Sequence, residues 1–156
     1  MQDPFHRPVF SPAVYYRDPL AALAWLERAF GFARSLYITD REGRFGHAEM
    51  RCGSGVLMIG GEWAQHTASP AGLDGKNTQS VHVLLEQDLD AHCTHARAAG
   101  AIIVQEPTDQ FWGDRNYRAR DPEGHDWTFC RVVRRVTREG AERDSGLRIE
   151  GWWPHT

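Results

Sequence analysis

The chain has 156 residues, a length that fits one domain or two small fused units. Its composition is 41% hydrophobic, 25% charged and 11% aromatic, which is typical of a globular protein rather than a disordered or fibrous one. The formal net charge of −3 argues against binding to nucleic acid or to a membrane surface as the main activity. The chain shows no apolar run long enough to cross a bilayer and no signal-peptide pattern, so we expect a cytoplasmic protein.

The first part of the chain predicts one unit made of a strand, a helix and three further strands. Val9 to Tyr16 is a strand-like run, and Asp18 followed by Pro19 opens a helix that ends at Gly31. Apolar residues recur at helical spacing between these two ends. Turns that contain glycine then separate three predicted strands, which cover residues 33–39, 44–51 and 56–59.

The second part repeats this pattern at an offset of about seventy residues. A strand over residues 81–85 precedes a helix that begins after Asp88 and ends at Gly100. The next three predicted strands cover residues 102–105, 116–120 and 125–131. We therefore predict unit one over about 8–61, a linker over 62–79, unit two over about 80–133 and a C-terminal tail over 134–156.

Two β-α-β-β-β units predict an α+β fold in which each helix covers one face of a mixed sheet. The other face of each curved sheet then needs a cover, and pairing of the two units supplies one. We expect curved mixed sheets around a central cavity that holds a small ligand, with the linker lying over it. Near its end the tail contains Trp152 and Trp153, which we expect to dock on the domain or on a partner subunit.

Two short motifs in the second unit are similar to those of a known family. Gly113-Asp114-Arg115 is followed by the run DPEGHDWTF over residues 121–129. With the duplicated unit and the Asp18-Pro19 helix start, these motifs resemble the vicinal oxygen chelate superfamily over about residues 8–133. That superfamily contains glyoxalase I, bleomycin-resistance proteins and extradiol dioxygenases. Within it, the chain is most similar to the small bacterial glyoxalase/bleomycin-resistance-like proteins.

The resemblance also implies where a metal ion would be held in catalytic members. One ligand comes from the first strand and one from the last strand of each unit, and the ion acts as a Lewis acid on the substrate. Counting from the turn glycines puts these four positions at Ser11, Ile59, Val81 and Thr128. These residues include no imidazole and no carboxylate, so we expect no metal and no cofactor. As an alternative, a β-bulge could turn His82 inward, with Glu49 as a second ligand.

Alternation along the predicted strands assigns polar side chains to the cavity. The predicted ligand-binding residues are Tyr15, His47, Glu49, Trp112, Asn116, Arg118 and Thr128. His47 and Glu49 are also the candidate catalytic residues, as a general base and its orienting partner. Alternatively, this pair forms an internal ion pair with Arg118 or Arg51 that only satisfies buried charge.

Three further features have two interpretations each. His92 and His95, spaced i and i+3 on the second helix, are either a metal-binding pair or, as we favour, solvent-facing side chains. Arg115 either bonds the turn at Asp121 or contacts an anion. Trp25 either packs inside the protein or contacts a partner subunit.

The sequence as a whole predicts a homodimer that binds a small organic molecule without a metal. A resistance-type binder of this kind would hold a planar or cationic compound with aromatic and carboxylate side chains. One alternative is a metal-dependent lyase, isomerase or dioxygenase, as in the catalytic members of the superfamily that the chain resembles. Another alternative is metal-free acid–base catalysis by His47 and Glu49.

Overall fold

The computed structural model describes residues 3–152 and contains two units with the same order of elements. The first unit consists of β1 (Ala13–Tyr16), α1 (Pro19–Phe30), β2 (Ala33–Thr39), β3 (Phe45–Cys52) and β4 (Gly55–Gly61). The second unit consists of β5 (Val81–Leu84), α2 (Leu89–Ala98), β6 (Ile102–Asp109), β7 (Asp114–Arg120) and β8 (Asp126–Val132). The first strand begins later than predicted, at Ala13 rather than at Val9.

Each unit forms its own four-stranded mixed sheet, which we call sheet 1 and sheet 2. The strand orders are β1-β4-β3-β2 and β5-β8-β7-β6. The first strand of each unit runs parallel to the last, and the remaining neighbours are antiparallel. The predicted α+β class with two tandem β-α-β-β-β units is therefore confirmed, and both sheets are open.

Helix α1 begins and ends at the residues that the sequence predicts. The Asp18 carboxylate accepts a hydrogen bond of 3.0 Å from the backbone N–H of Ala21, and Pro19 occupies the first helical position. Gly31 ends the helix with a φ of 71°, a left-handed conformation that only glycine adopts readily. Asp88 begins α2 in the same way, by accepting from the N–H of Ala91.

The helix sides of the two units meet in one hydrophobic core. Phe30, at the end of α1, packs against Trp127 and Phe129 of β8, with ring centroids 5.4 and 4.6 Å apart. Trp25 is buried between the units, and its indole N–H donates to the Ala99 carbonyl at the end of α2. Trp25 is therefore a packing residue within one chain.

Two histidines of α2 bind the end of α1. His92 Nε2 lies 3.1 Å from the Phe30 carbonyl and its Nδ1 lies 2.7 Å from the Tyr117 hydroxyl. His95 Nε2 lies 2.7 Å from the Arg28 carbonyl. The last carbonyls of a helix lack partners within that helix, so these imidazoles cap α1. The expectation that both histidines face solvent is wrong for His92, which is buried, whereas His95 is exposed.

The turn after β7 ties the second unit to the first. The buried Asp121 carboxylate accepts from the Tyr16 hydroxyl at 2.6 Å and from the Trp127 indole at 3.1 Å. Burial, together with the Asp121 charge, raises the pKa of Tyr16 well above its usual value. Glu123 accepts hydrogen bonds from the backbone N–H groups of Arg17 and Asp18, just before α1. The acidic residues of this turn thus act as connectors between the units.

The linker also contacts the turn after β7. Its Asn77 side chain donates to the Gly124 carbonyl at 2.8 Å, and Ser69 donates to the Glu123 carboxylate. Gln79 donates to the Ala13 carbonyl on β1. These contacts hold the linker against the junction of the two units.

The Gly113-Asp114-Arg115 motif has a structural explanation. Gly113 has a φ of 106°, and a Cβ at this position would overlap the Arg134 carbonyl oxygen. The Arg115 guanidinium binds Asp90 on α2 and Asp109 on β6 at 2.7 to 2.9 Å. The predicted bond between Arg115 and the Asp121 turn is wrong, because these two carboxylates already hold the guanidinium.

The tail contains helix α3 (Arg138–Ser145), and its chain then folds back. The Trp152 indole donates to the Val136 carbonyl at 3.2 Å, so the tail contacts itself. Trp153, the second tryptophan expected to dock, lies outside the described residues. Within residues 3–152, no helix combines the length and the apolar character needed to cross a membrane.

Candidate functional site

Each sheet has one face turned away from its helix, which we call its open face. Along β3, His47 and Glu49 lie on the open face of sheet 1, whereas Ala48 and Met50 are fully buried beneath α1. The strand register extends this assignment across the sheet, because residues directly opposite each other share a face. Glu49 lies opposite Met58, which therefore also lies on the open face.

The open face of sheet 1 holds an acid–imidazole pair beside apolar side chains. His47 Nε2 and Glu49 Oε1 are 3.5 Å apart, at the outer limit for a hydrogen bond. Leu36 and Ile38 of the neighbouring strand lie opposite this pair, and both are exposed. The half-buried Tyr15 occupies the same face on β1. In the described part of the chain, neither Arg51 nor Arg118 forms the ion pair proposed with Glu49.

The open face of sheet 2 holds mainly hydrogen-bond donors. His82, Thr128 and Arg118 lie side by side on three neighbouring strands. Asn116 lies two residues before Arg118 on the same face and is opposite Cys130. Thr128 and Asn116 are almost completely buried, at 3% and 7% exposure, whereas Arg118 and His82 are exposed.

Trp112 lies two residues before β7, near the Asp114 end of this open face. Its indole N–H donates to the Asp114 carboxylate at 3.0 Å, and the residue is 39% exposed. The Phe111 ring packs edge-on against it, with centroids 4.9 Å apart. Trp112 therefore offers an exposed aromatic surface beside Asp114.

The strand register corrects the positions expected for metal ligands. Ile59 and Val81 face the core, and Ser11 precedes β1, so these three assignments are wrong. The first and last strands of each unit instead place one residue each at matching open-face positions. These residues are Ala13 and Met58 in the first unit, and His82 and Thr128 in the second. No β-bulge is needed to bring His82 there, since the pairing of β5 with β8 is regular.

These four side chains do not fit a divalent ion. The set offers one imidazole, one thioether, one hydroxyl and one methyl group, whereas a borderline or hard cation needs several imidazole or carboxylate ligands. Across residues 3–152, no group of three or more His, Cys, Asp or Glu side chains is arranged to hold a metal. The buried His92 uses both ring nitrogens in hydrogen bonds, so it is not available as a ligand either.

Two cavities lie on the helix side of the sheets, and the larger one also reaches His82 and Leu84 on the edge strand β5. A groove of about 920 Å³ lies between the β3–β4 hairpin and β5, lined by Phe30, Phe32 and Trp127 among others. A smaller cavity of about 370 Å³ lies between α1 and the turn at residues 121–123. None of the seven predicted ligand-binding residues lines either cavity. A groove between the two units is therefore present, but ligand binding by the seven predicted residues stays a prediction.

Two residues that position Asn116 were missed at the level of sequence. Gln105 and Gln110 both donate to the Asn116 side-chain oxygen. Strand β6 contains two register shifts before Thr108, so simple alternation along it fails. No local sequence signal would have found these contacts.

Comparisons with known proteins identify several similar chains. A family model described as Glyoxalase/Bleomycin resistance protein/Dioxygenase superfamily matches residues 9–129. TioX from Micromonospora sp. ML1, a solved structure, is 35% identical and has a TM-score of 0.62, over 80% of this chain and 98% of that one. An uncharacterized protein of Mycobacterium tuberculosis is 29% identical over 133 residues, which are 83% of this chain and 77% of that protein. A glyoxalase/bleomycin resistance protein/dioxygenase from Nocardioides, 17% identical with a TM-score of 0.54 over 81% and 85% of the chains, shows the same fold.

Proposed function

Because the chain belongs to the Glyoxalase/Bleomycin resistance protein/Dioxygenase superfamily, we propose that it binds a small organic molecule on the open faces of its sheets. The observation that carries this proposal is the composition of these faces. Each combines polar side chains with apolar ones that no element of the described chain covers. A few polar groups among apolar surface are typical of small-molecule sites. The predicted residues Tyr15, His47 and Glu49 belong to sheet 1, and Asn116, Arg118 and Thr128 to sheet 2.

We propose that a second copy of the chain covers these faces, so that the site is completed in a homodimer. Ile38 on sheet 1 is 47% exposed, and Leu84 on sheet 2 is 64% exposed. Ile102 and Val104 add further exposed apolar surface on the edge strand of sheet 2. Exposed apolar side chains thus occur at both edges of sheet 2, and extensive exposed apolar surface marks an interaction site. In a dimer with a twofold axis, sheet 1 of each copy would face sheet 2 of the other, which gives two equivalent contacts.

We propose that binding does not use a metal, because the open-face positions Ala13, Met58, His82 and Thr128 hold one imidazole and no carboxylate. Elemental analysis of protein purified without chelators tests this point. Stoichiometric nickel, zinc, iron or manganese would contradict it and favour the metal-dependent enzyme. We propose a cytoplasmic location, because all three cysteines are free, as is usual in a reducing compartment.

A thermal-shift screen tests the proposed function. Metabolites, aromatic antibiotics and divalent ions are added singly, and a compound that binds the native state raises the melting temperature. We expect organic compounds to raise it, and the shift to be smaller for Tyr15→Ala and His47→Ala. His66→Ala, which changes an exposed linker histidine, is the matched control and should respond like the wild type. No shift with any organic compound would contradict the proposal.

The contact between His47 and Glu49 favours a second candidate function, metal-free acid–base catalysis. If Glu49 orients His47 as a general base, Glu49→Gln abolishes turnover of a bound compound and leaves its affinity nearly intact. If the pair only contacts the ligand, the same substitution weakens binding and no turnover is found for either protein. Parallel assays of product formation and binding with a compound from the screen distinguish the two.

A further inference from the structure

The open face of sheet 2 carries hydrogen-bond donors that the described chain leaves without acceptors. We call Asn116, Arg118 and Thr128 the donor cluster. Thr128 and Arg118 are directly opposite each other on β8 and β7, and Asn116 precedes Arg118 by two residues on the same face. Neighbouring strands lie about 4.8 Å apart, so one small ligand can reach all three side chains.

The orientation of the Asn116 amide is set by its neighbours. Its Oδ1 atom accepts from Gln105 Nε2 at 2.8 Å and from Gln110 Nε2 at 3.0 Å. Gln110 Nε2 also lies 3.4 Å from the Thr108 carbonyl, a group that can only accept, which identifies the nitrogen of this side chain. With its oxygen occupied twice, Asn116 has only its NH₂ group left, and nothing in residues 3–152 accepts from that group. A residue held this firmly at 7% exposure presents two fixed donors.

The Thr128 hydroxyl is in a similar position. The residue is 3% exposed, and its side chain forms no hydrogen bond with any residue from 3 to 152. In the same range, no fully buried side-chain nitrogen or oxygen lacks a partner. The Thr128 hydroxyl therefore reaches the surface of the open face, beside Arg118, where a ligand can bond it.

Arg118 supplies a positive charge that no carboxylate of the described residues pairs with. Within residues 3–152 its guanidinium has no ion-pair partner, whereas Arg120, two residues further on the same face, binds Asp126 at 2.8 Å. Asp114, the other carboxylate on this face, accepts from the Trp112 indole. An arginine fork beside amide and hydroxyl donors matches the geometry of a carboxylate.

We propose that the donor cluster binds the carboxylate of a small organic acid. The guanidinium of Arg118 and the NH₂ of Asn116 would hold the two oxygens, with the Thr128 hydroxyl as a further donor. The apolar part of the acid would lie over exposed Leu84 and Trp112. This inference rests on the proposed function and names the class of ligand for one of its two faces.

A matched pair of probes tests this inference. 2-Naphthoate and 2-naphthamide have the same shape, but only the first carries a carboxylate. Each is titrated into the ¹⁵N-labelled full-length protein, and the amide signals of β5, β7 and β8 are followed by NMR. We expect naphthoate to perturb these strands and to bind at least about tenfold more tightly than naphthamide, since a hydrogen bond to a charged group contributes about 1.5 kcal/mol or more.

Two arginine variants complete the test. Arg118→Gln should weaken naphthoate binding by about tenfold and leave naphthamide binding unchanged. Arg120→Gln, on the same strand and face, should bind naphthoate like the wild type. The spectrum of each variant shows whether it is folded, and its mass in solution shows whether the assembly is intact.

Several results would overturn the inference. Equal affinity for the two probes, perturbation confined to other strands, or equal weakening by both variants would each contradict it. A change of assembly in Arg118→Gln would assign the guanidinium to a subunit contact instead. If neutral compounds from the thermal-shift screen bind the open faces and naphthoate does not, this inference fails while the proposed function stands.

Discussion

The glycine at position 113 shows how a single residue of a motif can be fixed by geometry alone. Its φ of 106° is strained for any other residue, and a Cβ would overlap the Arg134 carbonyl. The N–H groups of Val133 and Arg134 also donate to the Gly113 carbonyl, so the chain cannot move away without losing these bonds. The motif residue therefore reports on the fold and gives no information about the ligand.

We expect Gly113→Ala to lower the free energy of unfolding by about 3 kcal/mol or more, since backbone strain and steric overlap add. Gly53→Ala is the matched control, because Gly53 also has a positive φ, of 55°, but open space around its Cβ. Its cost should be only about 1 kcal/mol. Urea unfolding measures both, and equal costs would show that the contact with Arg134 is unimportant.

His92 gives the protein a pH-dependent stability. Burial lowers the pKa of its imidazole; the hydrogen bond to the Phe30 carbonyl acts in the opposite direction, and the nearby His95 adds to the lowering. The folded protein thus keeps His92 neutral, whereas the unfolded chain binds a proton below about pH 6.5. The contribution of neutral His92 to stability is complete about one pH unit above that value and is lost as the pH falls towards the lowered pKa.

We therefore expect the free energy of unfolding to fall between about pH 7.5 and about pH 5.5, by at most about 1.4 kcal/mol per pH unit for this group. His92→Gln should be less stable than the wild type at neutral pH, but its free energy of unfolding should fall less as the pH is lowered. His66→Gln, at an exposed position, should follow the wild type. Urea unfolding over this pH range measures the effect, and an identical pH slope for His92→Gln and wild type would contradict it.

At the scale of elements, the two helices cap each other. Trp25 of α1 donates to the carbonyl of Ala99 at the end of α2, and His92 and His95 of α2 bind carbonyls at the end of α1. Each helix end thus obtains from the other unit the partners that it lacks within its own helix. This reciprocal capping makes the folding of one unit depend on the other.

Trp25→Phe keeps an aromatic ring at this junction but removes the donor to Ala99. We expect it to lower the free energy of unfolding by about 1 kcal/mol, because the half-buried Ala99 carbonyl loses its hydrogen-bond donor. Trp63→Phe is the control, because Trp63 is 69% exposed in the linker. Calorimetry checks both variants, and a Trp25→Phe protein as stable as the control would show that the hydrogen bond contributes nothing.

The sequence predicted the elements well because their signals are local. Asp18 and Asp88 cap helices by bonding residues three positions away, and alternation along β3 and β7 separated buried from open-face side chains correctly. Counting from glycines misplaced Ile59 and Val81, because register depends on pairing between strands that are distant in sequence. The contacts of His92 and of Gln105 were missed for the same reason.

At the scale of the whole molecule, the sequence did not predict how the two units meet. Alternation shows which side chains share a face, but not which face of each sheet contacts the other unit. In the structure, Phe30 and Trp25 join the units on the helix side. No helix or strand within residues 3–152 covers the open faces, which is why we assign their cover to a second copy.

This assignment predicts a mass in solution about twice that of one chain. Leu84→Glu introduces a charge on the open face of sheet 2 and should shift the protein towards the monomer. Leu20→Glu, at an exposed position in the first turn of α1, should leave the mass unchanged. Size-exclusion chromatography with light scattering measures all three, and a monomeric wild type at micromolar concentration would contradict the proposed homodimer.

The central claim is that small molecules bind the open faces and not the groove on the helix side. A crystal structure with a compound from the thermal-shift screen tests it most directly. We expect the compound to contact Tyr15 or Glu49 of one copy together with Arg118 or Thr128 of its partner. A compound bound in the groove beside Phe30, Phe32 and Trp127, with both open faces empty, would contradict the claim.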